Sequence, residues 1–294
     1  MTPEPAELLD CVSLTVPDDA LDHFESALSS VCRAVSFFRN EDAGTWNLSG
    51  VKERGAFEAD LLAALSLAGM LTGITPETSH SLVPAGGWLA RNRSAFPEQR
   101  IGRRFAVRGT HITAPPLPGR ITLTLDAGLA FGSGEHNSTR GCLLALERLA
   151  KSRRPARILD LGTGSGVLAI AAAKLLGRPV LATDIDARAV RVAAANARLN
   201  GVAFRIRTLR ADGWADRTIR RRAPYDLVFA NILARPLCAM AHSLGAALAP
   251  GGTAILAGLL NTQSRSVLAA HRRAGLRLKM RLTDGAWTTL ILTK

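Results

Sequence analysis

The sequence predicts an α/β protein with a doubly wound parallel sheet, preceded by a smaller α+β domain. From Arg157 onward, short apolar runs alternate with helical segments, which is typical of a parallel sheet with helices on both faces. A glycine-rich turn, "DLGTGSG" (160–166), joins the first of these runs to the first helix. The first 84 residues follow a different order, βαββαβ, which is the ferredoxin-like pattern.

Length and composition place the chain among globular proteins. It has 294 residues, which corresponds to about two domains, and a hydrophobic share of 47%. No uncharged apolar stretch reaches the roughly 18 residues that a membrane span needs, so we predict none. The N-terminus "MTPEPAELLD" resembles neither a secretory signal nor an Arg-rich transit peptide. We therefore expect a cytoplasmic protein.

The cysteines indicate a reducing compartment. They are scattered along the chain and form no C-x-x-C pair, so we predict free thiols, with neither a disulfide nor a metal site. The four are Cys11, Cys32, Cys142 and Cys238.

The formal net charge is +13, from 37 Lys+Arg against 24 Asp+Glu. Such an excess favours anionic partners. The basic clusters have two interpretations: solvated helix ends and loops, or a surface that works beside RNA or a ribonucleoprotein. Aromatic residues are only 5% of the chain, which argues against a single-strand binder built on stacking.

The N-terminal domain is predicted over residues 1–84. Its helix over about 17–31 places four apolar residues on one face: Leu21, Phe24, Leu28 and Val31. The other predicted elements are strands at 11–16, 34–38, 45–51 and 80–84 and a helix at 57–70. Residues 85–100 are mixed in character and punctuated by Gly and Pro, so we predict a linker there.

The second domain is predicted over residues 101–294. Two strands, 103–109 and 120–126, precede the alternating region. The sheet strands that follow are predicted at 157–162, 179–186, 203–209, 225–231 and 251–259, with helices at 165–176, 187–200, 233–248 and 263–274. A terminal hairpin around Asp284-Gly285 completes seven strands and adds one antiparallel strand to the sheet.

The three glycines of the turn, Gly162, Gly164 and Gly166, require a physical reason, because glycine weakens regular structure. Either the backbone turns sharply, or a ligand approaches it closely at the carboxyl edge of the sheet. Asp184 ends the second strand 22 residues after Gly162, which is typical of a carboxylate that binds ribose hydroxyls. It could instead cap the next helix, but Asp186 is better placed for that.

The spacing of the glycines distinguishes between nucleoside-containing cofactors. An NAD site normally has G-x-G-x-x-G, whereas this turn has D-L-G-T-G-S-G. It resembles the glycine loop of class I S-adenosylmethionine-dependent methyltransferases. In that comparison Asp160 attracts the cationic amino-acid end of the cofactor, directly or through water. Asp212, after the third strand, is a candidate acceptor for the adenine amine, or alternatively the cap of a short helix.

Two further stretches resemble one methyltransferase family. Residues 132–139 are "GSGEHNST" and residues 230–233 are "ANIL". With the glycine loop, they are similar to the PrmA family, which methylates ribosomal protein L11 and has G-T-G-x-H-x-T-T and A-N-I-L at these places. Ser133 and Ser138 stand where the family usually has threonine, and both keep a hydroxyl. The resemblance is strong over 101–294 and concerns 1–84 only in layout.

The resemblance implies roles for individual residues. Thr139, Gly162, Asp184 and Asn231 contact the cofactor, with Gly164 and Gly166 in the same loop. Thr139 bonds the methionine end, and Asn231 lies beside the sulfonium as the catalytic residue.

The loop before the first core strand contributes two further candidates. Phe131 belongs to a stretch, "FGSG", that closes over the site. His136 has two interpretations: it shapes this loop, which we favour, or it relays a proton. A loop histidine without a carboxylate partner is a weak candidate for a general base.

The resemblance implies a seven-stranded, Rossmann-like methyltransferase that transfers methyl groups from S-adenosylmethionine to lysine side chains, or the N-terminal amine, of ribosomal protein L11. The N-terminal domain would recognise the protein substrate, rRNA would lie near the basic surface, and a monomer is favoured. The alternatives are a methyltransferase of the electron-transfer flavoprotein beta subunit and a non-enzymatic ribosome-associated protein. A nucleic-acid base methyltransferase is disfavoured, because its N/D-P-P-Y/F motif is replaced by "NILA" (231–234).

Overall fold

The computed structural model describes residues 8–40, 43–84, 98–126 and 137–294. The chain divides into two compact units, Met1–Asn92 and Arg93–Lys294. The linker predicted at 85–100 lies outside the described residues up to position 97.

The first unit is a four-stranded antiparallel sheet with two helices. Its elements are β1 (Leu8–Pro17), α1 (Leu21–Val31), β2 (Ala34–Asn40), β3 (Thr45–Glu53), α2 (Glu58–Thr72) and β4 (Thr78–Pro84). The strand order is β2-β3-β1-β4, and every pairing is antiparallel. This order confirms the predicted ferredoxin-like domain. On the apolar face of α1, Leu21, Phe24 and Leu28 are buried as their spacing predicts. Val31, predicted on the same face, is only half-buried because it is the last residue of the helix.

Helix α2 differs from α1 because it is apolar on all sides. It buries Leu61 and Ala68, while four large apolar side chains on the helix remain exposed. These four are Leu62, Leu67, Met70 and Leu71, with exposed fractions of 55–77%. Several exposed large apolar side chains on one helix are typical of an interaction surface.

The second unit begins with a small three-stranded sheet and continues into a large one. The small sheet contains β5 (Gln99–Ile101), β6 (Phe105–Gly109) and β7 (Ile121–Leu125). The remaining elements are α3 (Asn137–Ser152), β8 (Ile158–Leu161), α4 (Val167–Leu176), β9 (Val180–Asp184), α5 (Ala187–Leu199), β10 (Ile206–Arg210), α6 (Arg217–Arg221), β11 (Tyr225–Asn231), α7 (Ala234–Ala247), β12 (Leu248–Leu260), α8 (Ser264–Arg273), β13 (Arg277–Asp284) and β14 (Trp287–Thr293).

The large sheet has seven strands in the order β10-β9-β8-β11-β12-β14-β13. Strands β8 to β12 pair in parallel, and β14 is antiparallel to both of its neighbours. The terminal hairpin therefore adds one antiparallel strand, as predicted. Two buried clusters, one on each face, enclose the sheet. β8 and β11 are parallel neighbours at the centre of the sheet. The loops that follow them therefore lie side by side at the carboxyl edge of the sheet.

The structure corrects the end of the predicted linker. Gln99 and Arg100 belong to β5, a three-residue strand whose brevity gives no alternating pattern in the sequence. The turn after β5 is held by the carboxylate of Glu147 on α3, which accepts hydrogen bonds from the backbone N–H groups of Arg103 and Arg104.

Two further features of the described residues concern helix length and the cysteines. Every helix among them is too short or too polar to cross a bilayer. The four cysteines are free thiols; Cys11 and Cys142 are buried, and Cys32 and Cys238 are half-buried.

Candidate active site

The glycine loop between β8 and α4 turns through left-handed backbone at every second residue. The φ angles of Gly162, Gly164 and Gly166 are +70°, +53° and +85°. Side chains with a Cβ are disfavoured in this region, so glycine is required at each of the three positions. The sharp turn proposed from the sequence is therefore one cause of the glycine-rich composition.

Close packing is a second cause. A Cβ on Gly162 would lie 2.3 Å from Cγ2 of Ile232, and a Cβ on Gly166 would lie 3.1 Å from Cα of Ala193. The loop is thus confined between the exit of β11 and helix α5. Its backbone is therefore set by its neighbours as well as by its own conformation.

Asp184 lies against this loop. Its Oδ2 accepts a hydrogen bond from the N–H of Gly164 at 2.9 Å, and its Oδ1 accepts one from the N–H of Asp186 at 3.0 Å. Asp186 caps α5 by accepting from the N–H of Arg188 at 2.7 Å, as the sequence predicts. Each oxygen of Asp184 retains a lone pair that a ribose hydroxyl could use.

Asp160 lies beneath the loop, with 1% of its surface exposed. Its Oδ2 accepts hydrogen bonds from the hydroxyl of Thr163 at 2.6 Å and from the N–H of Ala169 at 3.1 Å. Burial, with a smaller contribution from the charge of Asp184, raises the pKa of Asp160 to about 6. Asp160 therefore ties the glycine loop to α4, and its predicted attraction for the cofactor's ammonium group stays a prediction.

Asn231 and Thr139 are brought together at the same edge. Asn231 is the last residue of β11, and its Nδ2 donates to Oγ1 of Thr139 at 3.3 Å. Thr139 is fully buried in the first turn of α3. The two residues are 92 positions apart in the sequence, so this contact depends on the sheet order.

Gly258 supports the same exit and was not identified from the sequence. A Cβ at this position would lie 2.5 Å from the carbonyl oxygen of Ile232, and its φ is +79°. The pairing of β12 with β14 shifts register between Leu256 and Leu259. A glycine inside an apolar strand is a known signal of a bulge or a close backbone approach, and Gly258 shows both.

Asp212 lies beside the end of β9 but makes no bond to the loop. The preceding residue, Ala211, donates its N–H to the carbonyl oxygen of Asp184 at 2.9 Å. The Asp212 side chain is exposed and makes no capping bond to the 3-10 turn Gly213–Ala215. Its predicted contact with the adenine amine stays a prediction.

Two of the predicted site residues, Phe131 and His136, lie outside the described residues. Their predicted roles in the loop over the site stay predictions.

Asn196 connects the glycine loop to the small sheet and was also missed. This fully buried side chain of α5 donates to the carbonyl oxygen of Ser165 at 2.8 Å and accepts from the N–H of Asp126 at 2.9 Å. One turn later, Asn200 makes two bonds with the backbone of Thr124, at 3.0 and 2.6 Å, but none with the loop. A buried amide whose oxygen and nitrogen both make hydrogen bonds is recognisable in the structure. The sequence does not reveal it, because both partners are backbone groups of residues distant in the chain.

The fold and the site together define a class of protein. A seven-stranded sheet in this order, with three left-handed glycines facing a strand-end aspartate, is that of a Rossmann-like methyltransferase. The bare loop backbone and the nearby carboxylate fit a cofactor with a ribose and no phosphate, and the protein is an S-adenosylmethionine-dependent methyltransferase.

Comparison with known proteins narrows the class to one family. The family model described as ribosomal protein L11 methyltransferase (PrmA) matches residues 46–294, so the chain belongs to the PrmA family. A protein of Bradyrhizobium diazoefficiens with that name is 50% identical over 261 residues, which are 89% of this chain and 88% of the relative. One from Caulobacter sp. is 39% identical over 279 residues, 94% and 92% of the two chains.

A solved structure agrees with this assignment. The crystal structure of ribosomal protein L11 methylase from Lactobacillus delbrueckii subsp. bulgaricus has a TM-score of 0.61 and 31% sequence identity, and the match covers 67% of this chain and 98% of that one. The match to the family model begins at residue 46, within the first unit. It therefore extends further toward the N-terminus than the motifs recognised in the sequence, which lie within 101–294.

Replacing Asn196 with alanine is expected to weaken cofactor binding. We expect the Kd for S-adenosylmethionine to rise about fivefold, because one lost hydrogen bond to the loop is worth about 1 kcal/mol. Isothermal titration calorimetry measures this affinity. Asn200→Ala is the matched control, because it removes bonds to β7 without touching the loop. Equal weakening in both variants would show that Asn196 supports only the fold.

The burial of Asp160 makes stability depend on pH. Its pKa is about 6 in the folded protein against 3.8 for an exposed group, so the folded state binds this proton more tightly between these values. The stabilisation that the protonated Asp160 carboxyl gives the folded state is present at low pH and is lost as pH rises through about 6. Relative to Asp160→Asn, the free energy of unfolding should fall by about 2 kcal/mol between pH 4 and pH 7. Urea denaturation measures it, and a constant difference between the two proteins would contradict the assignment.

Proposed function

We propose that this enzyme transfers methyl groups from S-adenosylmethionine to amines of ribosomal protein L11 in the cytoplasm. The amines are lysine side chains, the N-terminal amine, or both. The observation that carries the proposal is the placement of Asn231, which is bonded to Thr139 and adjoins Ile232 at the glycine loop. Relatives that are 39% and 50% identical carry the corresponding name.

The cofactor contacts in this proposal follow from the geometry of the edge. The loop of Gly162, Gly164 and Gly166 accepts the methionine end, whose carboxylate is drawn to the free N–H groups at the start of α4. Asp184 accepts the ribose hydroxyls, with one oxygen already fixed by the loop. Asp212 accepts the adenine amine, and Thr139 donates its remaining hydroxyl hydrogen to the methionine end.

Asn231 is proposed to position the attacking amine. When bound, the cofactor would supply a methyl group attached to a sulfonium. The sulfur leaves as a neutral thioether and so requires no proton donor. Because Nδ2 of Asn231 donates to Thr139, its Oδ1 is the atom left to accept an N–H from the amine. The backbone carbonyls of Asn231 and Ile232 add further acceptors at the same exit. Aligning the reacting groups in this way is worth about 7–11 kcal/mol.

The amine must also arrive without its proton. A free lysine has a pKa of about 10.4 and an α-amine about 7.7–8.0, so a lysine needs to be desolvated before it attacks. Removal of water at this edge lowers the pKa of an ammonium group, while carbonyl and amide oxygens bond the remaining N–H groups. Asn231 carries no charge, so it orients the amine without stabilising the ammonium form as a carboxylate would.

The first unit is proposed to recognise the protein substrate. Residues 1–92 contain 5 Lys+Arg and 13 Asp+Glu, a net charge of −8. The same unit exposes the apolar face of α2. A unit with negative net charge and an exposed apolar helix fits a basic protein, and a protein that binds rRNA carries that charge.

Substituting Asn231 tests the proposed chemistry. Purified protein should transfer labelled methyl groups from S-adenosylmethionine to RNA-free L11, and Asn231→Ala should lower kcat about 100-fold by removing the acceptor for the amine. Mass spectrometry of L11 counts the methyl groups. Label appearing only in the flavoprotein beta subunit would reject L11 as the substrate.

A matched variant distinguishes chemistry from general destabilisation. Asn261 follows β12, and its replacement by alanine removes two side-chain hydrogen bonds, with Gly285 and Thr288, against one for Asn231. We expect Asn261→Ala to keep turnover near that of the wild type. Wild-type turnover in Asn231→Ala would remove Asn231 from the mechanism.

The role of α2 is tested by Met70→Ser. We expect KM for L11 to rise about fivefold, a loss of about 1 kcal/mol from apolar contact, with KM for S-adenosylmethionine unchanged. Phe204→Ser is the control, because Phe204 and Met70 are both 77% exposed but Phe204 lies in the second unit. An unchanged KM for L11 in Met70→Ser would place substrate recognition elsewhere.

A further inference from the structure

The two units carry opposite net charges. In contrast to the −8 of residues 1–92, residues 93–294 contain 32 Lys+Arg and 11 Asp+Glu, a net charge of +21. The overall value of +13 therefore conceals a strongly basic methyltransferase unit. A unit of this charge attracts polyanions over long distances.

The positive charge is most one-sided in the last part of the chain. Residues 227–294 contain eight Lys+Arg and one acidic residue, Asp284. Asp284 is already paired with Arg140 of α3, at 3.2 Å. The surface built from this segment therefore has almost no negative charge to balance its cations.

Five of these cations lie along the edge of the sheet formed by β13 and the last turn of α8, and we call this edge the basic strip. It consists of Arg272 and Arg273 in the last turn of α8 and Arg277, Lys279 and Arg281 on β13. All five side chains are exposed, and none makes an ion pair within the part of the chain that the structure describes.

β13 is the edge strand of the large sheet, so its exposed cations line one rim of the sheet. Leu278 packs against the core on one face, and Met280 and Leu282 pack against the core on the other, because the pairing with β14 shifts register between Leu278 and Met280. Arg277 and Arg281 therefore lie on opposite sides of this rim, with Lys279 at the shift between them. Four residues of strand separate Arg277 from Arg281, about 13 Å along the chain. α8 packs against β13, so Arg272 and Arg273 continue the strip beyond the start of the strand.

Protection of an edge strand accounts for only part of the strip. Charged side chains on the edge strand, lysine above all, prevent edge-to-edge pairing. Here the charge has a single sign and extends onto a helix.

The chemistry of the strip favours one class of polyanion. None of the large apolar side chains of residues 234–294, all of which the structure describes, is exposed, so the surface offers nothing to insert into a membrane. Residues 264–284 contain no Phe, Tyr or Trp, so the strip lacks the aromatic platforms typical of single-strand binders. Contacts with the phosphates of a folded RNA remain, and they require only exposed cations.

We propose that the basic strip binds the phosphate backbone of double-helical RNA, independently of its sequence. This inference rests on the proposed function, because a ribosomal-protein substrate places rRNA beside the enzyme. The strip thereby increases the concentration of the enzyme near ribonucleoprotein, while the chemistry at the carboxyl edge is unchanged.

The test measures binding of the full-length protein to a fluorescein-labelled RNA hairpin of arbitrary sequence, by anisotropy. We expect affinity to fall as salt increases from about 50 to 200 mM, with a log–log slope set by the phosphates contacted. Replacing Arg277, Lys279 and Arg281 with glutamate should reduce the magnitude of that slope by about 2–3 and weaken binding more than tenfold.

The matched control replaces three exposed arginines elsewhere in the unit, Arg178→Glu, Arg198→Glu and Arg207→Glu, with the same change in net charge. It should keep the slope of the wild type. Arg272→Gln with Arg273→Gln, which adds no negative charge, should weaken binding in the same direction as the β13 variant. Thermal unfolding of all variants confirms that they fold.

Three results would overturn the proposal: no binding of RNA by the wild type, equal weakening in the β13 variant and its control, or binding to phosphatidylserine vesicles in place of RNA. The proposed function is assayed separately, by methylation of RNA-free L11 in the same buffer. The β13 variant should retain wild-type kcat and KM there. RNA binding without methylation would reject L11 as the substrate and support RNA binding by the basic strip. Methylation without RNA binding would reject only the role of the basic strip.

Discussion

The candidate active site depends on the left-handed backbone of three alternating glycines between β8 and α4. This conformation folds the chain so that an N–H of the loop meets the carboxylate of Asp184. The side chains that fix it approach from three directions: Asp160 from below, Ile232 from the β11 exit, and Asn196 from α5. A loop held in this way has little freedom left to lose when a ligand binds, which is the energetic benefit of preorganisation.

The path of the chain after β11 depends on two positions that have no side chain. Gly162 and Gly258 flank Ile232, and a Cβ on either glycine would overlap it. The two glycines allow the backbone after Asn231 to pass between the loop and β12. Asn231 is therefore positioned by main-chain packing, which is stiffer than support by side chains alone.

The sequence was sufficient for the features that repeat locally. The alternation of strands and helices predicted the seven-stranded sheet, and the spacing of glycines predicted the loop and its aspartate partner. It was insufficient for Asn196 and Gly258, because their contacts lie with residues many positions away and leave no local pattern. The burial of Asp160 was equally invisible, since a carboxylate two residues before the loop has the same sequence signature whether it faces a ligand or the core. β5 was missed because three residues cannot display a period.

The opposite charges of the two units have a consequence for how the molecule moves toward its targets. Near a polyanion, the second unit is attracted and the first is repelled before any contact forms. Rotational search is then biased by the field, and added salt shortens the range of this bias to about one Debye length, near 8 Å at physiological ionic strength. A quantity such as the isoelectric point, near 11 for the whole chain, averages over this asymmetry and describes neither half.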